Sequence, residues 1–428
     1  MNQSNNHATA SVRGLSLFFN FFFIILGYYL VKPASRSIFL DHFSADQLPY
    51  VWIASALLLG LLMPFYNRIV DRIDRRLLVA TSCLFFSLLL GGFYLMFRLG
   101  YVGPIEAAAF YIFIDILSVM LVEQFWSLAN SSYVSETGSR WYGLVGSGGL
   151  AGGLVGGALA AWLLKSTPLV TYDMLLLSAL LLASIGLYTY FMTRTRLYTE
   201  KNTSIRLPGV QGFLSLRELL GNRYMVLIIV TVLLAQFVEP IVEYQFMSYV
   251  ELSYSDRELR TAFLSSFLSI LGGFALFVNL LMTPIILRKL GTLAGMAVQP
   301  VLLMVTAGIF NASPSLLSGS VMKIGDRGLS YSINRAAKEM LYIPVAPVLT
   351  YRAKAWIDMF GYRLFKIVGS MMLLALTQWF SVRWAPADFS LLVIPACILW
   401  IGAIIALRGD YASLRRKEDA VQSAPSAA

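Results

Sequence analysis

The chain has 428 residues, of which 58% are hydrophobic and 13% charged, whereas a soluble domain carries about 25% charged residues. Its mean hydropathy is +0.70, and several apolar runs reach the roughly 20 residues that cross a bilayer as a helix. These features exclude a soluble globular fold. The long unalternating runs exclude a barrel, because lipid-embedded backbone outside a closed barrel must bond within its own helix.

The first apolar run, 15–30, is too long for a secretory signal and no small-residue cleavage site comes after it. It predicts a membrane helix over 14–34. Eleven further helices are predicted over 48–66, 77–97, 105–130, 141–164, 169–192, 223–249, 261–284, 290–311, 315–343, 353–381 and 389–407. The fold class expected is an all-α polytopic membrane protein with twelve transmembrane helices in two six-helix bundles. The expected division is an N-terminal segment 1–13, a first bundle 14–192, a polar linker 193–222, a second bundle 223–407 and a tail 408–428. Cys83 and Cys397 fall inside apolar runs and read as packing residues. His7 and His42 match no metal-ligand spacing, so neither a metal nor a cofactor is expected.

The formal net charge of +10 is explained by topology. With the N-terminus placed in the cytoplasm, twenty lysines and arginines fall in inner segments and five in outer ones. The outer five are Arg98, Lys165, Arg257, Arg260 and Arg383. The positive-inside rule then places both termini in the cytoplasm, and no nucleic-acid partner is needed to account for the basic surplus.

Eight basic residues remain within the predicted helices: Lys32, Arg36, Lys323, Arg327, Arg335, Lys338, Arg363 and Lys366. Asp115, Glu123, Glu239, Glu243, Asp326, Glu339 and Asp358 are their acidic companions. Each costs about 2.5–3.5 kcal/mol at the bilayer centre on insertion scales. They must therefore face one another or a watery path. The charges concentrate on the first, fourth, seventh, tenth and eleventh helices. On an ideal helix Lys323, Arg327, Asn334 and Lys338 fall within about 60°. Glu123, Trp126 and Asn130 share a face, as do Gln236, Glu239 and Glu243. The adjacent charges suggest Arg327–Asp326 and Glu339–Arg335 as structural ion pairs. The glycine run GLVGSGGLAGGLVGG (143–157) lacks the Gly-Lys-Ser/Thr ending and the preceding strand of a phosphate loop. It reads as a close-packing helix face.

The stretch NRIVDRIDRR (67–76) resembles the cytoplasmic signature of the major facilitator superfamily, with Asp71, Arg72, Arg75 and Arg76 matching. In that plan helices one, four, seven and ten line the central cavity. A narrower resemblance is carried by KEMLYIPV (338–345), RAKAWID (352–358) and FKIVGS (365–370). They stand where the ATP/ADP translocase family of plastids and intracellular bacteria has Lys-Glu-Met-Ala-Tyr-Ile-Pro-Leu, Lys-Gly-Lys-Ala-Ala-Ile-Asp and Gly-Lys-Ser-Gly-Gly. VEQFWSLAN, SRWYGLVGSGG, VEYQF and YYLVKPASR resemble further stretches of the same family. The chain departs from the family at Asn334–Ala337, at Ala346-Pro347 and at Ala353.

The resemblance implies that Lys338, Glu123, Glu243 and a base at Lys32 or Arg36 take the places of the family's essential charged residues. Asn130, Arg327, Asn334 and Lys366 complete the set expected at the solute. Glu239, Asp115, Asp358, Arg363, Asp71 and Arg72 are assigned to coupling or gating. The expected activity is secondary antiport of an anionic, phosphate-bearing solute by a bilayer-embedded monomer, with ATP/ADP exchange as the leading form. A proton-coupled carrier or flippase using Glu123, Glu239 and Glu243 is a second reading, and a membrane sensor or scaffold a third. No nucleotide-hydrolysis motif is present in the sequence, so an enzyme is not expected. The topology has a direct check: cysteines introduced at Thr203 and Ser413 are expected to resist an impermeant thiol reagent in intact cells. Labelling of either from outside would reverse the orientation.

Overall fold

The computed structural model describes residues 2–70, 75–132, 135–195, 221–345, 350, 354, 356–357, 361–380 and 384–423. The signature turn with Asp71 and Arg72, the linker around Thr203, and Asp358 lie outside the described residues. Among those described, all regular structure is helical. α1 (Asn2–Leu40), α2 (Leu48–Val70), α3 (Arg75–Arg98), α4 (Pro104–Ser132), α5 (Ser135–Ser166) and α6 (Asp173–Arg194) precede the linker. α7 (Arg223–Ser253), α8 (Arg257–Lys289), α9 (Thr292–Ala312), α10 (316–341), α11 (362–379) and α12 (Ser390–Ser423) come after it.

Ten of these helices are long and apolar enough to cross a membrane. Among the described residues the two outside that number are α10 and α11, and the charges of α10 explain its case. α10 starts as a 14-residue segment, Leu316–Leu329, carrying Lys323, Asp326 and Arg327. It then passes through a π turn, Ser330–Asn334, into Arg335–Leu341. α11 also ends in a π turn, Ala375–Trp379. Several ends differ from the spacing-based prediction. α1 continues to Leu40 despite Pro33, so Arg36 is helical. α12 runs through polar sequence to Ser423, so most of the segment expected as a tail is helix.

By contacts the chain forms two units. The first comprises Met1–Gln47, Leu57–Ser204 and Glu251–Leu276, and the second Leu48–Ala56, Ile205–Val250 and Phe277–Ala428. The break in contacts is therefore not the break in sequence, because the first part of α8 belongs with the first unit.

In the first unit α1 packs on α4, α5 and α6. Its core includes Leu17, Phe21, Ile24, Ile38, Phe110 and Phe125, with Phe21 and Phe125 stacked at 4.3 Å between ring centroids. The glycine run of α5 makes this packing possible. A Cβ at Gly148 would lie 2.7 Å from the Phe18 carbonyl oxygen, one at Gly156 2.8 Å from that of Leu26, and one at Gly152 would overlap the Phe22 carbonyl. The adjacent face continues onto α8, where a Cβ at Gly157 would meet the Ser265 carbonyl oxygen at 2.7 Å.

Polar contacts join three helix ends in the same unit. Arg260, buried, donates to the Ser37 carbonyl at 2.8 Å and pairs with Asp41. Arg257 pairs with Asp41 at 3.2 Å and donates to the Tyr172 hydroxyl at 2.5 Å. Glu258 accepts from the Thr171 backbone at 2.6 Å. Burial raises the Tyr172 hydroxyl above the ordinary phenol range, against the opposing pull of Arg257.

The second unit has its own core of Ile228, Leu233, Met296, Ala337, Leu341 and Trp400. Gln245 fastens the turn before α12 by donating to the Pro386 carbonyl at 3.0 Å and the Ser390 hydroxyl at 2.9 Å. A capping box starts α10: the Ser318 N–H donates to the Ser315 hydroxyl and the Ser315 N–H to the Ser318 hydroxyl, both at 3.1 Å. Cys83 and Cys397 are both free and buried.

The glycine contact predicts a sharp contrast. Gly152→Val is expected to cost about 1–3 kcal/mol through forced separation of α1 and α5. Gly143→Ala, with nothing within 4 Å of its added carbon, is expected to be neutral. Melting temperatures of the two purified proteins measure the difference, and equal values would reject the close-packing role.

Candidate functional site

On α1, Arg36 donates to Asp115 on α4 at 2.5 Å and to the Ser35 hydroxyl at 2.8 Å, with its guanidinium 4.2 Å from the Tyr111 ring centroid. Tyr111 and Asp115 are four residues apart, so one face of α4 supplies both the ring and the carboxylate. Lys32, one turn before Arg36, lies 5.4 Å from the Tyr28 ring centroid and 5.5 Å from that of Tyr29. Glu123 and Asn130 are exposed on α4. Trp126 between them is half-buried and edge-on to Phe21.

The second unit holds a denser set. Glu243 on α7 forms an ion pair with Lys323 on α10 at 2.5 Å, and Glu239, one turn earlier, pairs with Arg327. Lys366 on α11 approaches Glu239 at 3.7 Å and lies 5.9 Å from the ring centroid of Trp52. Asp326 lies 3.8 Å from Lys323 and accepts from Gln299 of α9 at 3.1 Å. Gln299 in turn accepts from Asn334 at 2.5 Å. Lys338 donates to the hydroxyl of Tyr362 on α11 at 2.7 Å. Glu339 is exposed and carries Lys354 at 2.5 Å.

Two glycines seat α11 on α7. A Cβ at Gly361 would lie 3.1 Å from Leu233, and one at Gly369 would lie 2.7 Å from the Phe237 carbonyl oxygen. Tyr362 and Lys366 sit between them, one turn apart. Arg363 neighbours them and is half-buried.

The ideal-helix projection of α10 needs correction. The π turn over Ser330–Asn334 adds about one residue and rotates the later part of the helix by about 100°. Lys323 and Arg327 reach α7, Asn334 reaches α9 and Lys338 reaches α11. One projected face thus serves three neighbours. The Ser332 hydroxyl steadies the turn by donating to the Gly328 carbonyl at 2.6 Å. Arg327, expected beside Asp326, pairs with Glu239. Gln299, Tyr111, Tyr362 and Trp52 were not singled out from sequence. All four are uncharged, and only their contacts mark them.

Solved structures share this architecture. Over 92% of this chain and 99% of the other, it superposes on a mutant of the nucleoside transporter NupG with a TM-score of 0.66 at 13% identity. It superposes on a bacterial homolog of the human lysosomal transporter Spinster, inward-facing and unoccupied, with a TM-score of 0.57 at 12% identity, over 95% and 97% of the two chains. The protein is a multi-pass α-helical membrane protein with the major facilitator fold.

Sequence comparison gives its family. The chain matches the TLC ATP/ADP transporter family over residues 92–315 and 314–411, and belongs to it. ADP,ATP carrier protein 1 of Chlamydia muridarum is 27% identical over 303 residues, 62% of this chain and 57% of that protein. The chain thus spans little more than half the length of that relative. ADP,ATP carrier protein 1 of Rickettsia prowazekii is 24% identical over 359 residues, 74% of this chain and 71% of that protein.

The paired charges give a stability prediction. Lys323→Met leaves Glu243 and Asp326 without their shared cation and is expected to cost about 3–5 kcal/mol. Adding Glu243→Gln is expected to recover a large part of that loss. Thermal unfolding in one detergent compares the two. A double variant no more stable than the single would rule out Lys323–Glu243 as the source.

Proposed function

We propose that the protein is a secondary antiporter that exchanges ATP and ADP, or closely related phosphate-bearing anions, across a bacterial inner membrane. Alternating access between its two faces carries the solute, and both termini lie in the cytoplasm. Family membership and the names of its relatives support nucleotide as the solute. The observation that carries the reading is Lys338. Arg36, Lys323, Arg327 and Lys366 each lie against a carboxylate. Lys338 contacts a neutral phenol and has no carboxylate partner among the described residues. No described carboxylate matches its positive charge, which suits an anion from outside the protein.

An ammonium in a partly dry path attracts phosphate strongly, because the local dielectric is low. Lys338 stands fifteen residues after Lys323, about 22 Å further along the helix. That end of α10 faces the cytoplasm in the orientation given by the basic residues. On this reading Lys338 is a contact near the inner mouth, and Lys323, Arg327 and Lys366 lie deeper. Glu339 keeps to Lys354 and takes no solute.

Thermal-shift titration of the purified protein with ATP, ADP and inorganic phosphate tests the reading, since a ligand of the folded state raises its melting temperature by mass action. Wild-type protein is expected to respond to ATP and ADP. Lys338→Ala is expected to lose the response while its ligand-free melting temperature stays near wild type. Lys338→Arg is expected to keep part of it, since charge persists while shape changes. A full response from Lys338→Ala would remove Lys338 from the site.

A further inference from the structure

Tyr362 has no part in the reading above beyond holding Lys338, and its geometry assigns it more. The Lys338 ammonium lies 2.7 Å from the Tyr362 oxygen and 5.3 Å from the ring centroid. The second distance nearly equals the first plus the ring radius and the C–O bond. The ammonium therefore sits off the end of the phenol, not over its face, and the contact is a hydrogen bond more than a cation–π interaction.

The direction of that bond is fixed by chemistry. An ammonium has only donors, so the phenol oxygen must accept. Its own O–H proton cannot point back at Lys338. No second partner holds that proton among the described residues. Lys338 has two further N–H groups after the one spent on Tyr362. The pair therefore presents three donors and one net positive charge, with no carboxylate against it among the described residues and both side chains half-buried.

Arg36, Lys323 and Arg327 face carboxylates, which are acceptors and repel an anion. The placement of Tyr362 is also built in. A Cβ at Gly361, directly before it, would lie 3.1 Å from Leu233 of α7, so the start of α11 packs close to α7 while the phenol reaches α10.

We infer that Tyr362 is a direct solute contact, donating its hydroxyl proton to the same phosphate group that Lys338 attracts. The inference rests on the proposed site and names a second residue of it. A phosphate oxygen is a strong acceptor, and a charge-assisted bond from a phenol is worth roughly tenfold or more in affinity.

The test compares ATP affinity, by thermal-shift titration of the full chain, in wild type, Tyr362→Phe, Lys338→Arg and the double variant. Tyr362→Phe keeps the ring and removes only the hydroxyl. Its ligand-free melting temperature is expected to match wild type, and its ATP affinity to fall roughly tenfold. Removing the hydroxyl is expected to cost affinity in the Lys338→Arg background as well, because the contact is with the phosphate. Tyr362→His, a ring with an N–H donor, is expected to recover part of the loss and serves also if Tyr362→Phe is unstable.

ATP affinity within twofold of wild type in Tyr362→Phe would overturn the inference. So would a cost that vanishes in Lys338→Arg, which would make Tyr362 a positioning residue only. If wild type ignores nucleotides but binds inorganic phosphate through Tyr362, the nucleotide reading falls and the paired contact stands. If wild type binds neither, both fall.

Discussion

A charge held in hydrocarbon must be matched, and that constraint organises the second unit. α7 and α10 meet through two ion pairs set one turn apart on each helix. Glu243 takes Lys323 and Glu239 takes Arg327. The order is reversed along the two helices, as required for antiparallel neighbours. A shift of one helix by a single residue would rotate its pair by about 100° and strand four charges together. The cost of such a slip, several kcal/mol per uncompensated charge, makes the charges a register device. Lys366 and Gln299 extend the set to α11 and α9. In the first unit Arg36 and Asp115 tie α1 to α4 in the same way.

Small residues and a backbone irregularity supply what charge pairing cannot. Glycines on α5 and α11 let backbones approach until a Cβ would overlap a carbonyl. That is the close packing expected where lipid gives no hydrophobic drive for helices to associate. The π turn in α10 does a different job. It lets a single helix turn charged residues toward α7 at one end and Lys338 toward α11 at the other. A regular helix would aim them within a narrower arc. Ser332 satisfies the Gly328 carbonyl beside the turn, so this irregularity leaves that group bonded.

The sequence was informative where physics acts on single residues or short windows. Apolar runs marked the helices, and membrane charges drew attention to α1, α4, α7, α10 and α11. Partners were less legible. Arg327 has Asp326 beside it in sequence, yet its carboxylate is Glu239, eighty-eight residues away. Neutral partners were less visible: Gln299, Tyr111 and Tyr362 carry no charge that would flag them. The projection of α10 failed because a π turn has no simple residue code, and every position after it moves. The contact units could not be read either, because the polar linker marks a boundary in sequence while Glu251–Leu276 packs with the first unit.

The charge arrangement bears on how such a site could exchange one anion for another. Lys323, Arg327 and Lys366 face Glu239, Glu243 and Asp326, three bases against three acids. This group is balanced with no solute present. On the proposed reading, a phosphate moving inward from Lys338 must compete with a carboxylate for each base it meets. The carboxylate it displaces is then left buried without its cation, which costs several kcal/mol unless another pairing forms. When the solute leaves, the carboxylates return to the bases and the helices are tied again. On that reading the pairing ties α7 to α10 in the empty state, and a solute loosens it only while bound. The difference in pairing between the two states is the differential interaction that a ligand-driven transition requires. On the proposed reading exchange follows from electrostatics: a bound anion takes the place of the carboxylates that otherwise hold α7 and α10 together.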